Sequence, residues 1–299
     1  MDAEPIEAEI IEPEKRKRRD DYYLQPEPPR RRRWPWFLLG GCVMLCCLCF
    51  ILPLAVLSIG GVVFSAVIEG SEVTERGSEQ LDVTADALTF VIDNEVGDIT
   101  LETGDAGVIA VDYLKRAYGI SRSQARSRLD DVTVRLEDAG EGAVRLTVDR
   151  PSGGFSLARV DSVDLNITVP ANTVFDLDVN GGVGAVRIGG EVQASHVDAQ
   201  VNVGEIGFSG VFTADLADSR FKTNVGEVRL VLPRDLYARV EAETNVGDIT
   251  VDRALSTSDV ENTDEVTGYI WRGTVGAGSG APPLLELAAN VGDIRIDAE

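Results

Sequence analysis

A short phrase recurs through this chain and restricts its fold more than any other feature. "DNEVGDITL" begins at Asp93, "VNVGEIGF" at Val201, "TNVGEVRL" at Thr223, "TNVGDITV" at Thr244 and "ANVGDIRI" at Ala289. With a weaker copy at Gly184, the markers Gly184, Gly204, Gly226 and Gly247 stand 20, 22 and 21 residues apart. Degenerate copies extend the series to Gly268 and Gly292, and "GAVRL" at Gly142 mirrors "GAVRI" at Gly184. Between those two, "VDLNI" from Val163 keeps the register with Val in the place of glycine. Pro170 and Pro233 each precede a marker, Gly184 and Gly247, by 14 residues. A fixed period near 21 residues marks a solenoid or related β-repeat stack, in which each unit buries its apolar face against the next.

Each copy predicts two short strands joined at a turn. In "LELAANVGDIRI", Leu285, Leu287, Ile294 and Ile296 alternate with small or polar residues, the period of two that marks strands. Such layers stack at about 4.8 Å, so residues 69–299 supply at most about ten layers and a rod of roughly 40–50 Å. At the turn, glycine supplies positive φ or close backbone approach, Asn bonds to local backbone, and the flanking Val and Ile point into the core. The residues expected to build the turns are Gly97, Asp98, Gly184, Asn202, Gly204, Glu205, Asn224, Gly226, Glu227, Asn245, Gly247, Asp248, Asn290, Gly292 and Asp293. The expected fold is all-β: a β-solenoid-like stack of strand–turn–strand repeats with one short helical insertion, preceded by a single transmembrane helix.

One stretch interrupts the pattern. Tyr113 to Leu129 carries five basic residues and no acid: Lys115, Arg116, Arg122, Arg126 and Arg128. Ser121 or Ser123 is placed to cap a short helix with Ala125 and Leu129 on one face. The basic island is a candidate contact for an anionic surface, either lipid headgroups or an acidic envelope polymer; the competing reading rests it on the rod's own acids. At the far end, Arg295, Asp297 and Glu299 are expected to protect an open edge formed by the last strand.

Charge and cysteine are unevenly distributed. The net charge is −22, and all of the excess lies in residues 69–299, with 19 basic against 41 acidic residues. Such a surface repels nucleic acid, whose binding rests on neutralising phosphate. Residues 34–68 are uncharged, long enough to cross a bilayer with a helix from about 36 to 60, and Trp34 and Trp36 suit its interface. Arg30, Arg31, Arg32 and Arg33 precede this stretch and acids follow it, so the positive-inside rule puts the N-terminus in the cytoplasm and residues 69–299 outside. A cleaved signal peptide fits less well, given the 33-residue charged leader. That leader, residues 1–33, is too polar to fold and reads as disordered. Cys42, Cys46, Cys47 and Cys49 all fall in the apolar stretch and read as packing residues.

The Val-Gly-Asp-Ile repeats, the "ITVP" and "LVLP" strands and the intervening Ser/Ala/Arg helix resemble the bacterial putative-adhesin, or toast-rack, β-repeat family. The resemblance covers roughly residues 75–299. It implies a non-catalytic, membrane-anchored or secreted β-repeat domain of the cell envelope, with no catalytic residues, metal or cofactor to carry over.

The residues themselves weigh three functions. β-Helices host carboxylate-based polysaccharide enzymes, but a catalytic pair should be unique, whereas Asp98, Glu205, Glu227, Asp248 and Asp293 recur as equivalents. His196, the one histidine, has no nucleophilic partner in sequence. A calcium ladder along the turn acids would relieve their stacked like charge, yet one acid per 21 residues is sparse for a calcium β-roll. An envelope module for interaction, sensing or scaffolding, with envelope proteins or anionic polymers as partners and no cofactor, fits best.

Overall fold

Strand after strand buries every second side chain, and the buried sets of two sheets meet to form one core. The computed structural model describes residues 71–105, 107–150, 161–255, 257–265 and 268–299. The chain divides into two compact units, Met1–Val62 and Val63–Glu299, and every described residue lies in the second. The leader, Arg30 to Arg33, the four cysteines and the expected transmembrane segment lie outside the described residues. Among the described residues no helix is long and apolar enough to cross a membrane.

The chain enters through β1 (Ser71–Asp82), β2 (Ala87–Val96), β3 (Ile99–Gly104) and β4 (Val108–Gly119), followed by helix α1 (Arg122–Asp130). Next come β5 (Thr133–Gly140), β6 (Ala143–Asp149), β7 (Ser162–Pro170), β8 (Val174–Val183), β9 (Val186–Ile188), β10 (Gln193–Val203), β11 (Ile206–Phe208) and β12 (Val211–Phe212). The last are β13 (Ser219–Val225), β14 (Val228–Leu232), β15 (Ala238–Val246), β16 (Ile249–Val251), β17 (Thr257–Glu265), β18 (Gly268–Val275), β19 (Leu284–Val291) and β20 (Ile294–Ala298).

Six times the chain runs along one sheet, turns at a marker glycine and continues in the other. A nine-stranded sheet has the order β1-β4-β7-β3-β9-β11-β14-β20-β16. The eleven-stranded sheet has the order β17-β18-β15-β19-β13-β10-β8-β2-β6-β5, with β12 beside β10. Pairing is parallel through the middle of both sheets and antiparallel at both rims of the eleven-stranded sheet and at the β1 rim of the nine-stranded one, whose β16 rim stays parallel. Phe90, Ile92, Leu101, Leu177, Phe208, Phe221, Leu230, Leu287 and Ile296 are almost wholly buried between the sheets. Truncating one of them to alanine costs about 2–5 kcal/mol, because the surroundings collapse only partly into the void.

The order of the layers departs from the sequence reading. The strands after Gly97, Gly184, Gly204 and Gly226 follow one another, but the layer of Gly292 lies between those of Gly226 and Gly247. β18 folds back antiparallel onto β15 and occupies that flank, so β19 takes the other, between β15 and β13. The final strand is therefore interior: β20 pairs with both β14 and β16, and β16 is the edge. The expectation that Arg295, Asp297 and Glu299 guard an open edge is corrected accordingly. Gly142 and Gly268 also leave the series, since both sit at hairpins, β5–β6 and β17–β18. Val163 does take a marker's place: its carbonyl underlies Gly97, and the Leu165 N–H donates to the Asp98 carbonyl at 2.8 Å.

Candidate functional site

The marker glycines form one continuous ladder. Gly97, Gly184, Gly204, Gly226, Gly247 and Gly292 have φ between 126° and 149°. A Cβ on Gly184, Gly204, Gly226, Gly292 or Gly247 would lie 1.8–2.2 Å from the carbonyl oxygen of the next marker glycine. Both conditions that only glycine meets apply together here. Each rung is tied by backbone: the N–H groups of Gly97, Gly184, Gly204, Gly226 and Gly292 donate to Val183, Val203, Val225, Val291 and Val246 at 2.8–3.0 Å.

The asparagines and valines of the motif behave differently from the sequence reading. Instead of bonding to local backbone, Asn245 donates to Asn290 at 3.2 Å, Asn290 to Asn224 at 2.9 Å and Asn224 to Asn202 at 2.6 Å. Bonds to backbone come from the position before, where the Thr223 hydroxyl donates to Gly204 O at 3.1 Å and Thr244 to Gly292 O at 2.8 Å. Asn94 occupies the same position and donates to Val163 O at 2.8 Å. The motif valines do not enter the core: Val183, Val203, Val225, Val291 and Val246 are 41–63% exposed. At the corner between the sheets Asn and Val face outward in succession, so the strict alternation of the strands is broken there.

On the outer face of the nine-stranded sheet turn and strand acids meet arginines. Arg187 lies 3.3 Å from Glu205 and 3.8 Å from Asp98, and Arg229 lies 2.7 Å from Asp297. Gly207 stands between Arg187 and Arg229 in register, leaving a groove of about 390 Å³ that Thr100, Ser209 and Glu205 also line. Two of the acids reach the adjoining layer: Asp98 Oδ1 accepts from the Ala185 N–H and Asp293 Oδ1 from the Asp248 N–H, both at 2.9 Å. Among the described residues no His, Cys, Asp or Glu cluster could hold a metal ion.

The outer face of the eleven-stranded sheet carries amides and acids. Asn180, Gln200, Asn202, Lys222 and Asn224 line a second groove of about 290 Å³. Beside it Asp178 faces Asp198 in register, each accepting from an amide, Asn180 at 2.9 Å and Gln200 at 3.1 Å. Burial pushes the Asp178 carboxyl above its usual range; the Asp198 charge adds to this, and the Asn180 bond opposes it. Across this face Arg220 bonds Glu286 at 3.0 Å. His196 donates from its ring to the carbonyl of Asp218. Neither groove was anticipated from sequence; only the strand pairing brings Arg187 beside Arg229, or Asp178 beside Asp198.

The basic island is divided. α1 starts at Ser121, whose hydroxyl accepts from the Gln124 N–H, and buries Ala125 and Leu129. Lys115 is 8% exposed, donates to Val132 O at 2.8 Å and lies 3.6 Å from Glu75. Arg116 pairs with Asp164 at 2.6 Å, and Arg128 with Asp161 at 3.1 Å. Arg122 and Arg126 are exposed.

The sequence matches no protein-family model and no curated protein. Among solved structures, a putative cell adhesion protein from Clostridium sporogenes superposes with a TM-score of 0.53 at 16% identity, covering 75% of this chain and 100% of that one. A putative adhesin from Bacteroides fragilis (TM-score 0.32, 12% identity, 74% and 97% coverage) and a putative lipid binding protein from Parabacteroides distasonis (0.18, 13%, 74% and 96%) match too loosely to carry an argument. The described residues thus share the fold of the putative cell adhesion protein from Clostridium sporogenes, and the adhesin-like resemblance read from the repeats holds at the level of that fold.

Proposed function

We propose that this chain is a single-pass, membrane-anchored, non-catalytic module of the bacterial cell envelope that presents a solenoid-like β-repeat surface to an envelope partner. The observation that carries this reading is the row of exposed valines, Val183, Val203, Val225, Val291 and Val246. At about 4.8 Å per layer they make an apolar ridge roughly 20 Å long, which the core does not need and which the asparagine ladder borders. Large exposed apolar rows with polar rims are features of interaction surfaces. The shared fold with a protein described as a putative cell adhesion protein agrees with this reading. A hydrolytic role is less well supported, because Asp178 and Asp198 lie on an outer sheet face.

The test replaces Val203, Val225 and Val291 together by Thr, which keeps the branched shape and strand preference, or by Ile, which keeps the apolar character. Proximity labelling in living cells should lose specific envelope neighbours with Thr and retain them with Ile, while thermal melts of the variants stay close to the parent. An identical neighbour set for both variants would reject the ridge as the contact. Separately, retention of the chain in membranes at alkaline pH and activity of an exterior reporter fused after Glu299 check the anchor and its direction.

A further inference from the structure

Chain length places one end of the β-repeat domain. β1 starts at Ser71, which pairs with Gly119, and Glu72 pairs with Tyr118. The expected transmembrane helix ends near residue 60, so about ten residues separate it from Ser71, a tether of at most about 35 Å when extended. On the membrane-anchored reading, such a tether keeps the β1/β4 end, where it joins the domain, within reach of the membrane surface.

That same end carries the residues the fold leaves unused. Ile120 follows β4 directly and is 83% exposed. Arg122 and Arg126 are exposed on α1, and among the described residues neither has an ion-pair or hydrogen-bond partner. α1 then runs back from this end. Ala125 packs against Gly119, and past the C-terminus of the helix Val132 meets Lys115. Asp130 and Asp131 are therefore carried away from Ile120, while Glu72 is the exposed acid nearest to it in strand register.

We propose that Ile120, Arg122 and Arg126 form a foot that docks on the anionic headgroup surface of the bilayer in which the chain is anchored. This rests on the membrane-anchored reading given above. Ile120 enters the headgroup boundary, and the two guanidinium groups pair with lipid phosphates, for which their planar forks are suited. Each basic residue near such a surface multiplies the docked population by about fivefold. Tethering supplies an effective concentration on the order of millimolar, so two arginines suffice to orient a domain that they could not recruit from solution. The foot sets how the β-repeat surface stands on the membrane.

The experiment uses the full chain with Cys42, Cys46, Cys47 and Cys49 replaced by Ala, reconstituted in vesicles that carry a headgroup nitroxide. A fluorophore on Ser123→Cys reports on the foot. One on Thr250→Cys reports on β16, at the opposite edge of the nine-stranded sheet. In phosphatidylglycerol/phosphatidylethanolamine vesicles, quenching at position 123 should exceed that at 250 severalfold. It should fall in phosphatidylcholine, in about 0.5 M salt, where screening acts within a few ångströms, and in the Arg122→Gln/Arg126→Gln and Ile120→Ser variants. A chain that resists alkaline extraction yet is quenched no more at 123 than at 250, or equally with and without the arginines, overturns the foot alone. A chain extracted at alkaline pH overturns the anchor, and the foot with it.

Discussion

Replacing Gly226 with alanine tests the glycine ladder at its centre. The new Cβ would lie 1.9 Å from the Gly204 carbonyl oxygen and 2.6 Å from its carbon, on a residue held at φ 144°. A tolerable contact needs about 1 Å more, so either the layers part or the turn changes conformation. Placing a Cβ in that backbone region costs about 1–3 kcal/mol. Parting the layers strains the bonds from Gly204 N to Val225 O at 2.8 Å and from Ile206 N to Glu227 O at 2.9 Å, worth about 1 kcal/mol each. The expected loss is therefore about 3–5 kcal/mol. Gly207→Ala is the matched control, because a Cβ there meets nothing within 4 Å; it should be neutral or stabilise by about 0.5 kcal/mol through the unfolded chain. Urea unfolding of the full chain in detergent, followed by β-type circular dichroism at constant slope, measures both. A loss below about 1 kcal/mol for Gly226→Ala, or equal losses for the two variants, would refute the close-approach argument.

Among the turn acids, Asp293→Ala should cost about 1 kcal/mol in the same titration by orphaning the Asp248 N–H, whereas Asp248→Ala, which removes no side-chain bond, should cost almost nothing. Asp178 has a carboxyl raised by burial and by Asp198, so the folded chain holds that proton to higher pH than the unfolded chain does. Its contribution to stability is present below the ordinary carboxylate range and is lost as pH rises through the raised value. Asp178→Asn should then gain on the parent by a few tenths of a kcal/mol at neutral pH and not in acid, the effect being small because the site is only partly buried and solvent screens it; a constant difference across pH would contradict this. In the basic island, Lys115→Met should destabilise by about 1–3 kcal/mol because the Val132 carbonyl loses its donor, while thermal melts of Arg122→Gln should match the parent.

Much of the fold was present in local pattern. Alternation around each marker defined strands because side chains in a strand change face at every residue, and "LELAANVGDIRI" obeys it in β19 and β20. The glycine requirement was legible from recurrence alone, since a residue that returns at fixed spacing in a turn answers a backbone need. A cap at Ser121 or Ser123 and the Ala125/Leu129 spacing announced α1 for the same reason: caps and helical faces are properties of neighbours in sequence.

What the tertiary structure decided was every relation between distant segments. Parallel pairing requires only that two strands match in register, not that they follow one another, so nothing in "ANVGDIRI" announces that β20 lies inside β16. Only packing shows that Lys115 is committed to Val132 and Arg128 to Asp161, leaving Arg122 and Arg126 beside Ile120. The valines were misassigned for a physical reason of their own. Period two describes a strand, whereas Asn202 and Val203 stand at a corner where the chain leaves one sheet for the other, and on the outside of a corner two successive side chains face water.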